Sequence, residues 1–189
     1  MRLFAALVPP SAVLDHLDNA LSSVWPGRHG RNDPWGPKTN WHVTLAFYGE
    51  VADSAVDQLA DRAVVALADH RPFDLHLTGA GQFPSAVSWI GLGGQVDRLT
   101  ALMTDCRALG ADQSDLAQAS RPHLTVSRRR RDRPLADALR ALAVYRGPVW
   151  TVERAILFSS EPGFGPGGHP SYQALADLPL GPPAAPTYG

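Results

Sequence analysis

Cysteine is nearly absent: the chain of 189 residues has one, Cys106. No internal disulfide can form, and no thiolate cluster is available for zinc. Long apolar runs are absent too. The opening "MRLFAALVPPSAV" is broken by Pro9 and Pro10. It is too short to cross a bilayer and has no signal-peptide cleavage pattern. A cytoplasmic protein with no membrane partner is therefore expected. Neither sign of charge dominates, since 17 Lys and Arg face 18 Asp and Glu. Without a global basic field, any anionic partner must be held locally. "GLGG" at 91–94 lacks the Lys-Ser/Thr of a phosphate loop. His16, His29, His70 and His169 lie in separate segments with no metal-ligand spacing, so neither a metal nor a cofactor is expected.

The hydrophobic fraction, 44%, is that of a globular chain long enough for one sizeable domain or two small lobes sharing a core. Periodicity predicts strands at "RLFAALV", 41–48, "FDLHLTG", "AVSWIGL" and "PHLTVSR", a long strand "VWTVERAILFSS", and a last edge strand "SYQALADLPL". Helices are predicted over 12–24 with Ser11 as cap, from Asp53 or Ser54 to about 69, over 95–109, and in "RPLADALRALAVY" with Pro134 in its first turn. Segments 26–40 and 161–170 are rich in Gly and Pro and read as loops, and the tail 181–189 as disordered. Strands and helices mix without regular alternation, so the fold class is α+β with largely antiparallel sheets.

The sequence contains three His-x-Thr triplets, at His42, His76 and His123. With seven His and eight Thr, composition alone gives roughly 0.3 such triplets, so at least two call for a mechanism. The triplets at 42 and 123 share flanks, His-(Val/Leu)-Thr-(Leu/Val)-(Ala/Ser), and each is followed by a predicted helix. They lie 81 positions apart, which suits a duplicated lobe. In each strand, His and Thr share one face and aliphatics fill the other. The triplet at 76 runs into the turn "GAGQFP", and His76 reads as a solvent-facing strand residue.

Two imidazoles facing across a cleft can divide the cleavage of a phosphodiester. One, neutral, takes a proton from water; the other, cationic, gives one to the leaving oxygen. A Thr two residues on can donate to a non-bridging phosphate oxygen. For either His alone, a satisfied strand residue is the blander reading; the matched pair favours function.

"NWHVTLAFYGEV" and "SRPHLTVSR" resemble the two His-x-Thr signatures of the 2H phosphoesterase superfamily. Within it the chain is most similar to the bacterial RNA 2′,3′-cyclic phosphodiesterases, also described as 2′–5′ RNA ligases. "MRLFAALVPP", the hairpin "RPFDLHLTGAGQFPSAVSWIGL", "VERAILFSSE" and "YQALADLPL" extend the resemblance over residues 1–180. It implies one bilobal domain: two antiparallel sheets with pseudo-two-fold symmetry around a central cleft, helices outside, one motif per lobe. It implies hydrolysis of RNA 2′,3′-cyclic phosphate ends to 2′-phosphomonoesters by a monomer, without metal. His42 and His123 become the acid–base pair; Thr44, Thr125 and Arg128 become phosphate ligands. His42 is assigned as the acid on O3′ and His123 as the base on water, though the symmetric motifs permit the reverse order. The run "RRRRDR" at 128–133 is more basic than the family pattern requires; it is either a solvated turn or a landing strip for RNA backbone. The loop 161–170 is also longer and richer in Gly.

By strict alternation Phe47 belongs to the core, whereas Tyr48 shares the face of His42 and can stack a base. Tyr172 and Trp41 are weaker stacking candidates, with packing as their alternative. Other readings keep the site but change the substrate, to a small cyclic nucleotide or a 2′–5′ oligonucleotide. A further reading drops catalysis for an RNA-binding module.

Overall fold

The computed structural model describes residues 1–28, 30, 33–110, 121–128, 133–165 and 168–182. The strands are β1 (Arg2–Leu7), β2 (Val43–Glu50), β3 (Phe73–Gln82), β4 (Ser88–Gly94), β5 (His123–Ser127), β6 (Arg146–Val152), β7 (Arg154–Glu161) and β8 (Ser171–Pro179). The helices are α1 (Ser11–Val24), α2 (Val56–Leu67), α3 (Val96–Ala108) and α4 (Arg133–Ala141).

All neighbouring strands are antiparallel, in the order β6-β3-β4-β5-β2-β1-β7-β8. The two sheets expected from the resemblance are the two halves of this order. They are stitched at the centre by one β2–β5 pair, Val43↔Leu124. Counting outward from that seam, β2 matches β5, β1 matches β4, β7 matches β3 and β8 matches β6. A helix follows each of the four inner strands, as in a duplicated unit.

Alternate strand residues such as Leu3, Val43, Leu75, Ile90, Leu124, Trp150 and Leu157 are buried with helix side chains in one cluster. The helices therefore cover one sheet face. Burying each such side chain favours the fold by about 1.5–3 kcal/mol. The other face is free to form a site.

Four local expectations are corrected. Ser11 is the first helical residue; Pro10 holds the cap position with no side-chain cap bond, and its carbonyl takes the amides of Val13 and Leu14. A 3₁₀ turn at Asp53–Ala55 precedes α2, which starts only at Val56. The single long strand at 149–160 is two strands broken at Glu153, because β6 pairs with β3 and β7 crosses to β1 in the other half. His76 does not face solvent. It is 8% exposed, on the same face as Gly93, where a Cβ would meet its Nε2 at 2.5 Å. Burial lowers its pKa, with the Arg146 charge adding to the effect.

The tail residues 183–189 and most of the basic run, 129–132, lie outside the described residues.

Candidate active site

The two signature motifs meet at the β2–β5 seam. Val43 and Leu124 pair with their side chains in the core. One step to either side, antiparallel register sets His42 across from Thr125 and Thr44 across from His123. All four point to the open face. They are half-buried, and neither Thr hydroxyl has a hydrogen-bond partner among the described residues. His76 stays on β3, two strands from the seam.

Both histidines are held alike. His42 Nδ1 donates to the Asn40 carbonyl at 2.8 Å, and His123 Nδ1 donates to the Arg121 carbonyl at 2.8 Å. A carbonyl only accepts, so the hydrogen sits on Nδ1 and Nε2 is left for chemistry. Both acceptors lie two residues upstream, so these bonds close almost no loop. The segment supplying Asn40 is itself pinned. Arg28, buried, is ion-paired to Asp18 at 2.7 Å and to Asp33, and lies 5.4 Å from the centre of the Trp41 ring. Gly36 N donates to Val126 O, and Ser127 Oγ to Pro34 O, each at 2.7 Å. These bonds tie the loop before β2 to the end of β5. Asn40 Nδ2 also donates to Pro170 O at 2.8 Å, fastening the loop before β8 beside His42.

Burial pushes the His42 pKa down to about 4; the Asn40 bond opposes this, and the charges of Arg128 and His123 add to it. Burial likewise lowers the His123 pKa, against the Arg121 bond and with Arg128. Arg128 is exposed and has no ion pair among the described residues, and its field reaches both imidazoles. The site thus brings together two imidazoles and two hydroxyls within the field of the Arg128 guanidinium, an arrangement suited to a phosphate anion.

Sequence reasoning missed the aromatic supports. Phe4 lies 5.0 Å from the His42 ring, and Phe83 meets His123 edge-on at 4.9 Å. Trp89, paired with Thr125, lies beside Phe83, and Arg121 stacks above it at 4.8 Å. A cavity of ≈ 240 Å³ opens between Thr78, Trp89, Gly91 and Arg121. The segments "MRLFAALVPP" and "GAGQFP" held Phe4 and Phe83 in view, but nothing local in them says which ring meets which histidine.

The stacking expectations divide. Tyr172 lies edge-on to His42 at 5.3 Å. Trp41 is buried, consistent with packing. Tyr48 is corrected: its hydroxyl donates to Cys106 O on α3 at 3.1 Å, on the helix-covered face. Phe47 is corrected too, since it is 53% exposed rather than core. Both errors share one cause. The β1–β2 register shifts between Ala5 and Ala6 and again between Leu3 and Phe4, so β2 has extra residues at Leu45 and Tyr48. Each bulge inverts the alternation.

Comparison with known proteins gives the family. The model of the 2′-5′ RNA ligase superfamily matches residues 9–163. The chain belongs to the 2′-5′ RNA ligase superfamily. Relatives in this superfamily include the RNA 2′,3′-cyclic phosphodiesterase of Geobacillus stearothermophilus, 28% identical over 158 residues, covering 77% of this chain and 47% of that protein. The enzyme of the same name from Archaeoglobus fulgidus is 32% identical over 109 residues, covering 53% of this chain and 59% of that protein. The chain spans about half the length of the curated relatives it matches. Among solved structures, E. coli LigT complexed with phosphate is 26% identical, with a TM-score of 0.70 over 95% of this chain and 97% of that one. Among the described residues of this superfamily member, no three of His, Cys, Asp and Glu converge to hold a metal.

Proposed function

We propose that the chain hydrolyses RNA 2′,3′-cyclic phosphate ends to 2′-phosphomonoesters with a two-histidine, metal-independent mechanism. The observation that carries this reading is the pair of Nδ1-anchored imidazoles across one seam, each opposite the other motif's threonine. The names of the relatives support the substrate class.

The cyclic phosphate sits between the two motifs. Thr44 and Thr125 hydroxyls donate to its non-bridging oxygens, and Arg128 neutralises its charge. His123 Nε2 takes a proton from water as the water oxygen bonds to phosphorus. The P–O3′ bond breaks, and His42 Nε2–H delivers a proton to O3′. The product has a 2′-phosphate and a free 3′-hydroxyl. Solvent then restores the two protons to their starting sites. Since both pKa values are low in the free protein, the acid gains its proton with the anionic substrate, which offsets the Arg128 field. Joining ends through a 2′–5′ bond is the reverse of the same chemistry. The protein acts as a soluble cytoplasmic monomer in this reading.

The test is phosphorus NMR of the product of an RNA with a 2′,3′-cyclic end. A 2′-phosphomonoester is expected; a 3′-phosphate, or rapid turnover of small cyclic nucleotides with RNA left intact, contradicts the reading.

A further inference from the structure

Three polar side chains near His42 that the mechanism does not use fall in one row. On β1, Arg2 and Phe4 are two apart and share a face, and Phe4 packs on His42, so Arg2 stands on the open face and is exposed. On β7, Phe158 stacks on Phe4 at 5.3 Å, so Ser160, two residues on, shares that face. The β1–β7 register pairs Leu3 with Ser159, and one step further sets Ser160 beside Arg2. Ser160 in turn pairs with Tyr172 on β8. Arg2, Ser160 and Tyr172 thus line up across three strands. Neighbouring strands lie about 4.8 Å apart, so the short Ser160 sits between two long side chains.

The row is held but unused. The Tyr172 ring is edge-on to Phe4 at 5.0 Å and to His42 at 5.3 Å. The bond from Asn40 to Pro170 O fastens the start of its strand. The Ser160 and Tyr172 hydroxyls have no hydrogen-bond partner among the described residues, and Arg2 has no ion pair among them. Glu50, across from Arg2 on β2, is ion-paired with the terminal amine of Met1 at 3.5 Å. Burial raises the Tyr172 pKa, while the charges of Arg128 and Arg2 both lower it, so the phenol lies in the field of both guanidinium groups. Positive potential therefore continues from the phosphate site past Tyr172 to Arg2. In the mechanism above, His42 protonates O3′, so the ribose lies on the His42 side of the phosphorus. The strand attached to that ribose leaves on the side of Tyr172 and Arg2.

We propose that Arg2 holds the phosphodiester one nucleotide upstream of the cyclic phosphate, where the Ser160 and Tyr172 hydroxyls also donate to it. The site then selects RNA ends over mononucleotides. This inference rests on the function proposed above.

The experiment compares wild type and Arg2→Gln on two dinucleotides that end in a 2′,3′-cyclic phosphate. One has an ordinary phosphodiester linkage; the other has a methylphosphonate linkage, which keeps the shape and removes the charge. For wild type, kcat/KM is expected to be roughly fivefold or more higher on the charged linkage, the scale of one exposed ion pair. Most of the difference falls in KM, and added salt narrows it. Arg2→Gln brings the ratio close to one by slowing only the charged substrate. A wild-type ratio near one overturns the proposal. So does a ratio that Arg2→Gln leaves intact, including an equal loss on both substrates, which means that Arg2 only supports the fold.

A second measurement needs no turnover: calorimetric affinities of the same two dinucleotides ending in a 2′-phosphate, for wild type and Arg2→Gln. Tighter binding of the charged linkage that depends on Arg2 supports the upstream site even if wild type hydrolyses neither cyclic phosphate, in which case the catalytic reading alone has failed. Equal affinities of the two ligands for wild type, or binding of neither, overturn it.

Discussion

Lowering the pH from 7 to 5 is expected to destabilise the protein through His42. Burial holds its folded pKa at about 4, whereas the unfolded chain takes the ordinary value of 6.5. Between those values the unfolded chain binds more protons, so acid favours unfolding. The full difference corresponds to about 3 kcal/mol in favour of the neutral imidazole. The portion lost between pH 7 and pH 5 is about 2 kcal/mol. Other groups titrate in this range, so the assay compares wild type with His42→Gln, which lacks the titration. Urea midpoints of both are followed from pH 7 to pH 5. With an m value of ~2 kcal/mol/M, the wild-type midpoint falls about 1 M further than that of the variant. In parallel, the imidazole resonances of His42 are titrated by NMR. Parallel midpoint curves, or a His42 titration near 6.5, refute the reasoning.

The lowered pKa values of both histidines put the optimum of kcat/KM on the acid side of 6.5; that of kcat lies higher, since bound phosphate raises both, and a kcat/KM optimum above neutrality contradicts this. Arg128→Ala removes a cation that depresses both imidazoles, so their NMR pKa values rise while KM for the cyclic phosphate increases; unchanged pKa values count against it. Tyr48→Phe loses its bond to Cys106 O, costing about 0.5–1.5 kcal/mol in urea unfolding with kcat/KM retained, and a large loss of activity would return Tyr48 to the cleft. Gly94 has φ +93° and an added Cβ would lie 2.6 Å from the Asp74 carbonyl, so Gly94→Ala costs about 1–3 kcal/mol or more; a neutral urea midpoint contradicts that geometry.

Much of this arrangement is legible in residue order. Period-two stretches locate the strands, and helical spacing of Leu and Val locates α1 to α4, because both patterns are local. Matched flanks separate His42 and His123 from His76, since the shared aliphatics encode which face of each strand enters the core. What is not legible is non-local. The β2 bulges depend on pairing with β1, so alternation alone exchanges Phe47 and Tyr48. The break at Glu153 marks a strand leaving one half-sheet for the other, and hydropathy continues through it unchanged. His76 is buried partly because Gly93, across the ladder on β4, leaves space for its ring. The carbonyls that orient both histidines come from Asn40 and Arg121, and backbone acceptors leave no trace in side-chain identity.

The most direct measurement is hydrolysis of a short RNA ending in a 2′,3′-cyclic phosphate, in EDTA, by wild type, His42→Ala, His123→Ala and His76→Gln. The pairing of the two seam histidines predicts a 2′-phosphate from wild type and His76→Gln, and rates lower by ~10²-fold or more in the other two, the scale of one acid–base catalyst. Equal loss in all three variants, or activity that survives both alanine substitutions or needs an added divalent ion, contradicts it.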